Sequence, residues 1–146
     1  MSKSRNNLKI ISIVVLILAA ITLVNLAFEL IFGALNNAEI PDGAPENTLL
    51  IAKIFLAVVS AIMLAPHVYV GIKGIKVAKK PDSSKAHIVW AIILLAFAAY
   101  CLISPIASII MLEDVLANIF SVISIAAEVI VFVMYLKFAF AVSKGK

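Results

Sequence analysis

The sequence predicts an all-α integral membrane protein. The expected fold is an antiparallel four-helix transmembrane bundle with short loops and both termini in the cytoplasm. Three observations lead there. Hydrophobic residues make up 64% of the 146-residue chain and charged residues 14%, against roughly 45–50% and 25% in soluble domains. The apolar residues form long blocks at about 8–32, 49–70, 87–112 and 115–142. Each exceeds the ~20 residues a helix needs to cross ~30 Å of hydrocarbon. Finally, the charges are sorted by loop. Lys73, Lys76, Lys79, Lys80 and Lys85 fill the middle connection, Lys3, Arg5 and Lys9 open the chain, and Lys137, Lys144 and Lys146 close it. The other two connections carry Glu39, Asp42, Glu46, Glu113 and Asp114 and no basic residue. Basic loops stay on the cytoplasmic side, which orients the whole chain.

The same sorting disposes of other readings of the +4 formal charge. A nucleic-acid surface would interleave aromatics with the basic residues on a soluble face, and none is present. The chain is one membrane domain, 1–146, without room for a soluble one. Cys101 is the only cysteine, so neither an internal disulfide nor a redox thiol pair forms. The sequence has no Asn-x-Ser/Thr acceptor, which fits the plasma (inner) membrane of a bacterium.

The first span follows a basic start, as a signal peptide would. Its apolar run is longer than an h-region of about 7–15 residues and lacks a small-x-small cleavage site, so it is expected to remain. Gly33 suits a left-handed helix stop. The acidic connection that follows is irregular, with Pro41, Gly43 and Pro45. Asn47 or Thr48 is placed to cap the second span. Helical spacing continues past Val70 as an amphipathic extension at the headgroups that ends at Pro81. Lys73, Lys76, Lys79 and Lys80 are positioned to attract anionic lipid there. Ser83 or Ser84 is placed to cap the third span, and Asp114 the fourth. The connection between those last spans is so short that they must be antiparallel neighbours. Pro66 and Pro105 each remove a backbone donor and predict kinks.

Each span carries one polar stripe at helical spacing. These are Thr22, Asn25 and Glu29; Lys53, Ser60 and His67; Tyr100, Ser104 and Ser108; and Ser121, Ser124, Glu128 and Tyr135. Ala57, Ala61 and Ala65 recur every fourth residue beside the second stripe, a pattern that lets helix backbones approach. For the uncharged members, hydrogen bonding between helices is the plainer role. Tyr69, Trp90 and Tyr135 lie where an interfacial aromatic belt is expected.

Ionisable groups inside a span are functional candidates by default. Glu29 and Lys53 are expected at equal depth near the outer surface, as an ion pair. Glu128 falls about 20 Å into the fourth span at 1.5 Å per residue. With no basic residue assigned to that depth, it is expected to hold its proton. His67 and His87 read as interfacial histidines without further metal ligands near them. No metal, cofactor or catalytic constellation is expected, and an enzyme is not the reading. Two function classes follow. The first binds or moves a small cation or polar solute through the polar interior, alone or as a homo-oligomer. The alternative is a non-catalytic accessory, regulatory or immunity subunit that docks on a larger membrane protein.

Overall fold

The computed structural model describes residues 2–82 and 84–145. All of its regular structure is helical, with no strand among the described residues. We number the helices α1 (Lys3–Phe32), α2 (Thr48–Lys79), α3 (Ala86–Cys101), α4 (Ile103–Ile110) and α5 (Val115–Ser143). Helices α3 and α4 together make one span, so four helical segments are long and apolar enough to cross a membrane.

Neighbouring helices follow the chain around a ring: α1 packs on α2, α2 on α3, α3 and α4 on α5, and α5 back on α1. One end of this ring carries the described ends of the chain and the lysine-rich 80–85 connection, and we call it the basal end. At the other, distal end lie the 33–47 connection and the turn between α4 and α5. Contacts between α1 and α2 run in opposite sense. Arg5 meets Ala78, while an added Cβ on Gly74 would meet Ser12 and one on Gly71 would meet Leu16.

The packed core sits almost wholly at the basal end. Leu8, Ile11, Ser12, Val15 and Ala19 are buried on α1, and Val70, Gly71, Gly74, Val77 and Ala78 on α2. Their counterparts are His87, Ile88, Ala91, Leu94 and Ala98 on α3 and Phe132, Tyr135, Ala139 and Val142 on α5. Beyond these, Pro105 is the only residue buried toward the distal end among the described ones. Tight packing is confined to the basal end, and toward the distal end the other side chains stay exposed or half-buried.

Glycine explains how tightly the basal ends meet. A Cβ on Gly74 would lie 2.2 Å from Ser12 Oγ and 2.8 Å from the Tyr135 ring. On Gly71 it would lie 2.6 Å from the Leu16 side chain. Only residues without a Cβ let α1 and α5 close on this face of α2. Arg5 completes the join, donating from Nε to the Ala78 carbonyl at 2.8 Å and from Nη2 to the Lys79 carbonyl. Those carbonyls have no partner within their own helix, and a cation there also suits the negative end of its dipole.

Several local expectations are corrected. The extension beyond Val70 is continuous with α2, and Gly71, Gly74, Val77 and Ala78 are buried along it, with Lys73 and Lys76 on its more open side. Gly33 is extended (φ −74°, ψ 179°), not left-handed. It is glycine for room, because a Cβ there would lie 2.3 Å from the Glu29 carboxyl and carbonyl. Asn47 and Asp114 stand at the N-caps of α2 and α5 without a side-chain capping bond. Thr48 Oγ1 instead donates to the Pro45 carbonyl at 2.6 Å. Helix α3 starts after Lys85, not at a serine cap. Ser83 lies outside the described residues, and the Ser84 amide donates to Asp82 Oδ1 at 3.0 Å. The other Asp82 oxygen accepts from Lys73 Nζ at 2.7 Å. This bond holds the Asp82 carboxyl below the usual carboxylate range. The third span breaks at Leu102, three residues before Pro105, whereas α2 runs unbroken through Pro66.

Candidate functional site

Two helices that are not ring neighbours supply the central pair. His67, immediately after Pro66 on α2, places Nε2 2.8 Å from Oε1 of Glu128 on α5. His67 Nδ1 donates to the carbonyl of Met63, one turn back, at 3.0 Å. A carbonyl only accepts, so Nδ1 must carry hydrogen, and the tautomer is fixed. Nε2 and Oε1 then hold one proton between them. Whether the pair is imidazolium and carboxylate or imidazole and carboxylic acid, its net charge is zero. That lowers the cost of burying two ionisable groups in an apolar span.

The pair stands in the wall between two cavities of about 460 Å³ and 370 Å³. The larger opens between α1 and α5, with Thr22, Asn25 and Ser124 among its polar groups. The smaller lies among α2, α3 and α5 and includes Ser60, Phe97 and Cys101. Thr22, His67, Ile125 and Glu128 line both. The His67 side chain keeps 19% of its surface open and Glu128 35%. A guest in either cavity can therefore reach the carboxyl.

Beneath the pair the bundle is shut. Phe132 is buried and meets the His67 ring edge-on, with centroids 5.6 Å apart. One turn below, Tyr135 is fully buried. Its hydroxyl donates to the Val70 carbonyl at 3.1 Å and accepts from His87 Nδ1 at 2.7 Å. Ser12 Oγ, near Gly74, donates to the Leu8 carbonyl at 2.6 Å. Glu128 and Tyr135 are seven residues apart, about 10 Å along α5.

No protein-family model, curated protein or solved structure matches this chain. What the site does must be argued from its geometry alone.

That geometry gathers some expected residues and scatters others. Glu128, His67, Ser124, Asn25 and Ser60 share the cavity walls. Glu128 is not alone at its depth, as the sequence suggested. Counted from its own helix start, His67 lies about 28 Å in and Glu128 about 20 Å. The pair forms because the helix starts are not level, which counting along single helices assumes. Tyr135 and His87, expected at an interface with lipid headgroups, are buried and meet in the core.

Ser121 shares the Glu128 face but is exposed, and its hydroxyl donates to the Ala117 carbonyl at 3.1 Å. Tyr100 is 70% exposed. It follows the buried Ala98 by two residues, a 200° turn to the opposite face. Ser104 is exposed too and has no hydrogen bond among the described residues. Nor do Glu29 and Lys53 form the expected ion pair. Lys53 Nζ donates to Asn36 Oδ1 in the short helical turn Ala34–Asn36, and the Glu29 carboxyl folds over Gly33. Ala57, Ala61 and Ala65 line an outer groove between α1 and α2.

Sequence reasoning missed the Tyr135–His87–Val70 cluster and the close contact at Gly71 and Gly74. The glycines were the available signal. Two helix-weakening residues one turn apart in a continuing helical pattern need a packing reason.

Proposed function

We propose that this chain is a plasma-membrane protein that binds, and by outward opening admits, a small cation or cationic polar solute. Its basal, lysine-rich end faces the cytoplasm and its distal end the outside, as charge sorting requires. The guest enters from the distal side through the cavities and settles against Glu128. The observation that carries this reading is the single-proton His67–Glu128 pair, held at 2.8 Å and open to two cavities.

The chemistry follows from the fixed tautomer. A cation arriving at the carboxylate takes the place of the imidazolium as its counter-charge. His67 then releases its Nε2 proton, and the pair with its guest keeps one positive charge in place of one proton. Binding is thus coupled to proton release. Onward passage requires the Phe132–Tyr135 layer to part. This conformation is a binding state closed to the cytoplasm, and no catalytic step is needed.

Glu128→Gln tests this in proteoliposomes. The amide keeps the shape and one hydrogen bond but cannot ionise. Affinity for a cationic solute should fall about 10- to 100-fold, the scale of a lost charged hydrogen bond. Proton release on binding should vanish with it. A folded Gln variant with unchanged flux and pH profile would overturn the reading. The accessory-subunit alternative draws on the uncovered alanine stripe of α2, and co-purification of a larger complex together with inert liposomes would favour it.

A further inference from the structure

An opening larger than either cavity at the polar pair lies elsewhere on the molecule. It is a groove of about 700 Å³ between α1 and α2, facing outward. Its form follows from the fold. The closest α1–α2 approach is at the basal end, at Gly71 and Gly74, and further along a groove opens between the two helices. There α2 presents Ala57, Ala61 and Ala65, too small to fill the gap, opposite Leu23 and Leu26 of α1. The most apolar stretch of α2 has no buried residue at all.

Toward the basal end the lining changes from apolar to basic: Tyr69, then Lys73, then Lys76. From Ala57 to Tyr69 the groove runs about 18 Å at 1.5 Å per residue. One leaflet of hydrocarbon is about 15 Å deep, half of ~30 Å. The lysines therefore begin where an acyl chain lying in the groove would give way to its headgroup. Lys73 is engaged by Asp82, and the Lys76 ammonium has no hydrogen bond or ion pair among the described residues. Lys9 stands seven residues before Leu16 and fourteen before Leu23 on one face of α1, adding a third positive charge at that end.

We propose that this groove is a binding site for one anionic phospholipid of the surrounding bilayer, its chain along the alanine stripe and its phosphate at Lys73 and Lys76. Charge complementarity favours it over a second copy of this chain. A two-fold interface places the same patch on both partners. In a membrane that operation keeps both basal ends on one side, so it would press each copy's lysines against the other's. A phosphate neutralises them instead. The site is separate from the cation site and stands whether or not Glu128 binds a solute.

The test uses purified full-length protein in nanodiscs of phosphatidylglycerol and phosphatidylcholine in equal amounts, with native mass spectrometry of the lipids it retains. The parent should retain phosphatidylglycerol at least fivefold over phosphatidylcholine. Each lysine at an anionic headgroup is worth about fivefold, so the double variant Lys73→Gln, Lys76→Gln should erase the preference. Ala61→Phe should fill the groove and lower retention of either lipid. Glu128→Gln should leave retention unchanged, which separates this site from the polar pair. Equal retention of both lipids by the parent overturns the proposal. So does a preference that survives loss of both lysines, or a lipid-free dimer that Ala61→Phe breaks. If the Phe variant does not fold, the lysine variants decide alone, since they remove no packing.

Discussion

Tyr135 does at the basal end what no aliphatic residue could. Its ring fills the centre of the bundle, and its hydroxyl ties α3 to α2 through His87 and the Val70 carbonyl. Tyr135→Phe keeps the ring but leaves His87 Nδ1 without its acceptor. The expected cost is about 1–3 kcal/mol, as for any buried polar group deprived of its partner. Gly74→Ala should cost a similar ~1–3 kcal/mol by overpacking, because Ser12 and Tyr135 crowd the added methyl and neither can retreat. Thermal unfolding in detergent measures both. A Phe variant that melts with the parent would leave Tyr135 a packing role only. Both substitutions lie a turn or more from Glu128, so they separate stability from solute binding.

Among the elements, the turn between α4 and α5 is the most constrained. Leu112 (φ 59°) and Asp114 (φ 39°) both adopt left-handed backbone conformations. For residues with a Cβ this costs roughly 1–2 kcal/mol each. The turn is held from the side, where Asn118 Nδ2 donates to the Glu113 carbonyl at 2.8 Å and the Asp114 carbonyl at 3.2 Å. Leu112 is 82% exposed, so Leu112→Gly loses little packing while removing the steric penalty. It should raise stability by about 1 kcal/mol, less whatever entropy the freer unfolded chain regains. Leu112→Val should lower it, since β-branching tolerates the left-handed region worst. Denaturation of the two variants side by side checks the sign. The sequence did announce that a turn had to fall near Met111–Asp114, through the end of one apolar run and the start of another. Its handedness was not readable, because Leu is an unexpected residue there. The break at Leu102 was legible for the opposite reason, Pro105 lacking the donor that would continue the ladder.

For the whole molecule, the number of helices and their spans were written in the lengths of the apolar runs. Their relative heights were not. His67 and Glu128 each stood out alone, as ionisable groups in apolar helices, yet nothing in either helix encodes the offset that brings them together. Likewise the polar stripes put Ser121 and Ser124 on the Glu128 side of α5, yet Ser124 lines the larger cavity and Ser121 lines neither. They could not tell that the bundle is filled at one end and open at the other. Orientation is a separate matter, decided by charge and the bilayer. With Cys101 replaced by Ser, single cysteines at Asp42 and Lys80 should react with an impermeant thiol reagent from opposite sides of intact cells, Asp42 from outside. Labelling of both from one side would remove the four-span topology.

Because the buried core lies at the basal end, the cavities beside Glu128 begin where tight packing stops. Beyond Phe132, as far as Val115, α5 continues for about 26 Å with exposed and half-buried side chains only. Segments with few buried contacts open at lower free energy than a packed core. Local opening beside Glu128 should therefore cost less than unfolding the basal end, so hydrogen exchange should be faster along 115–131 than along 132–142.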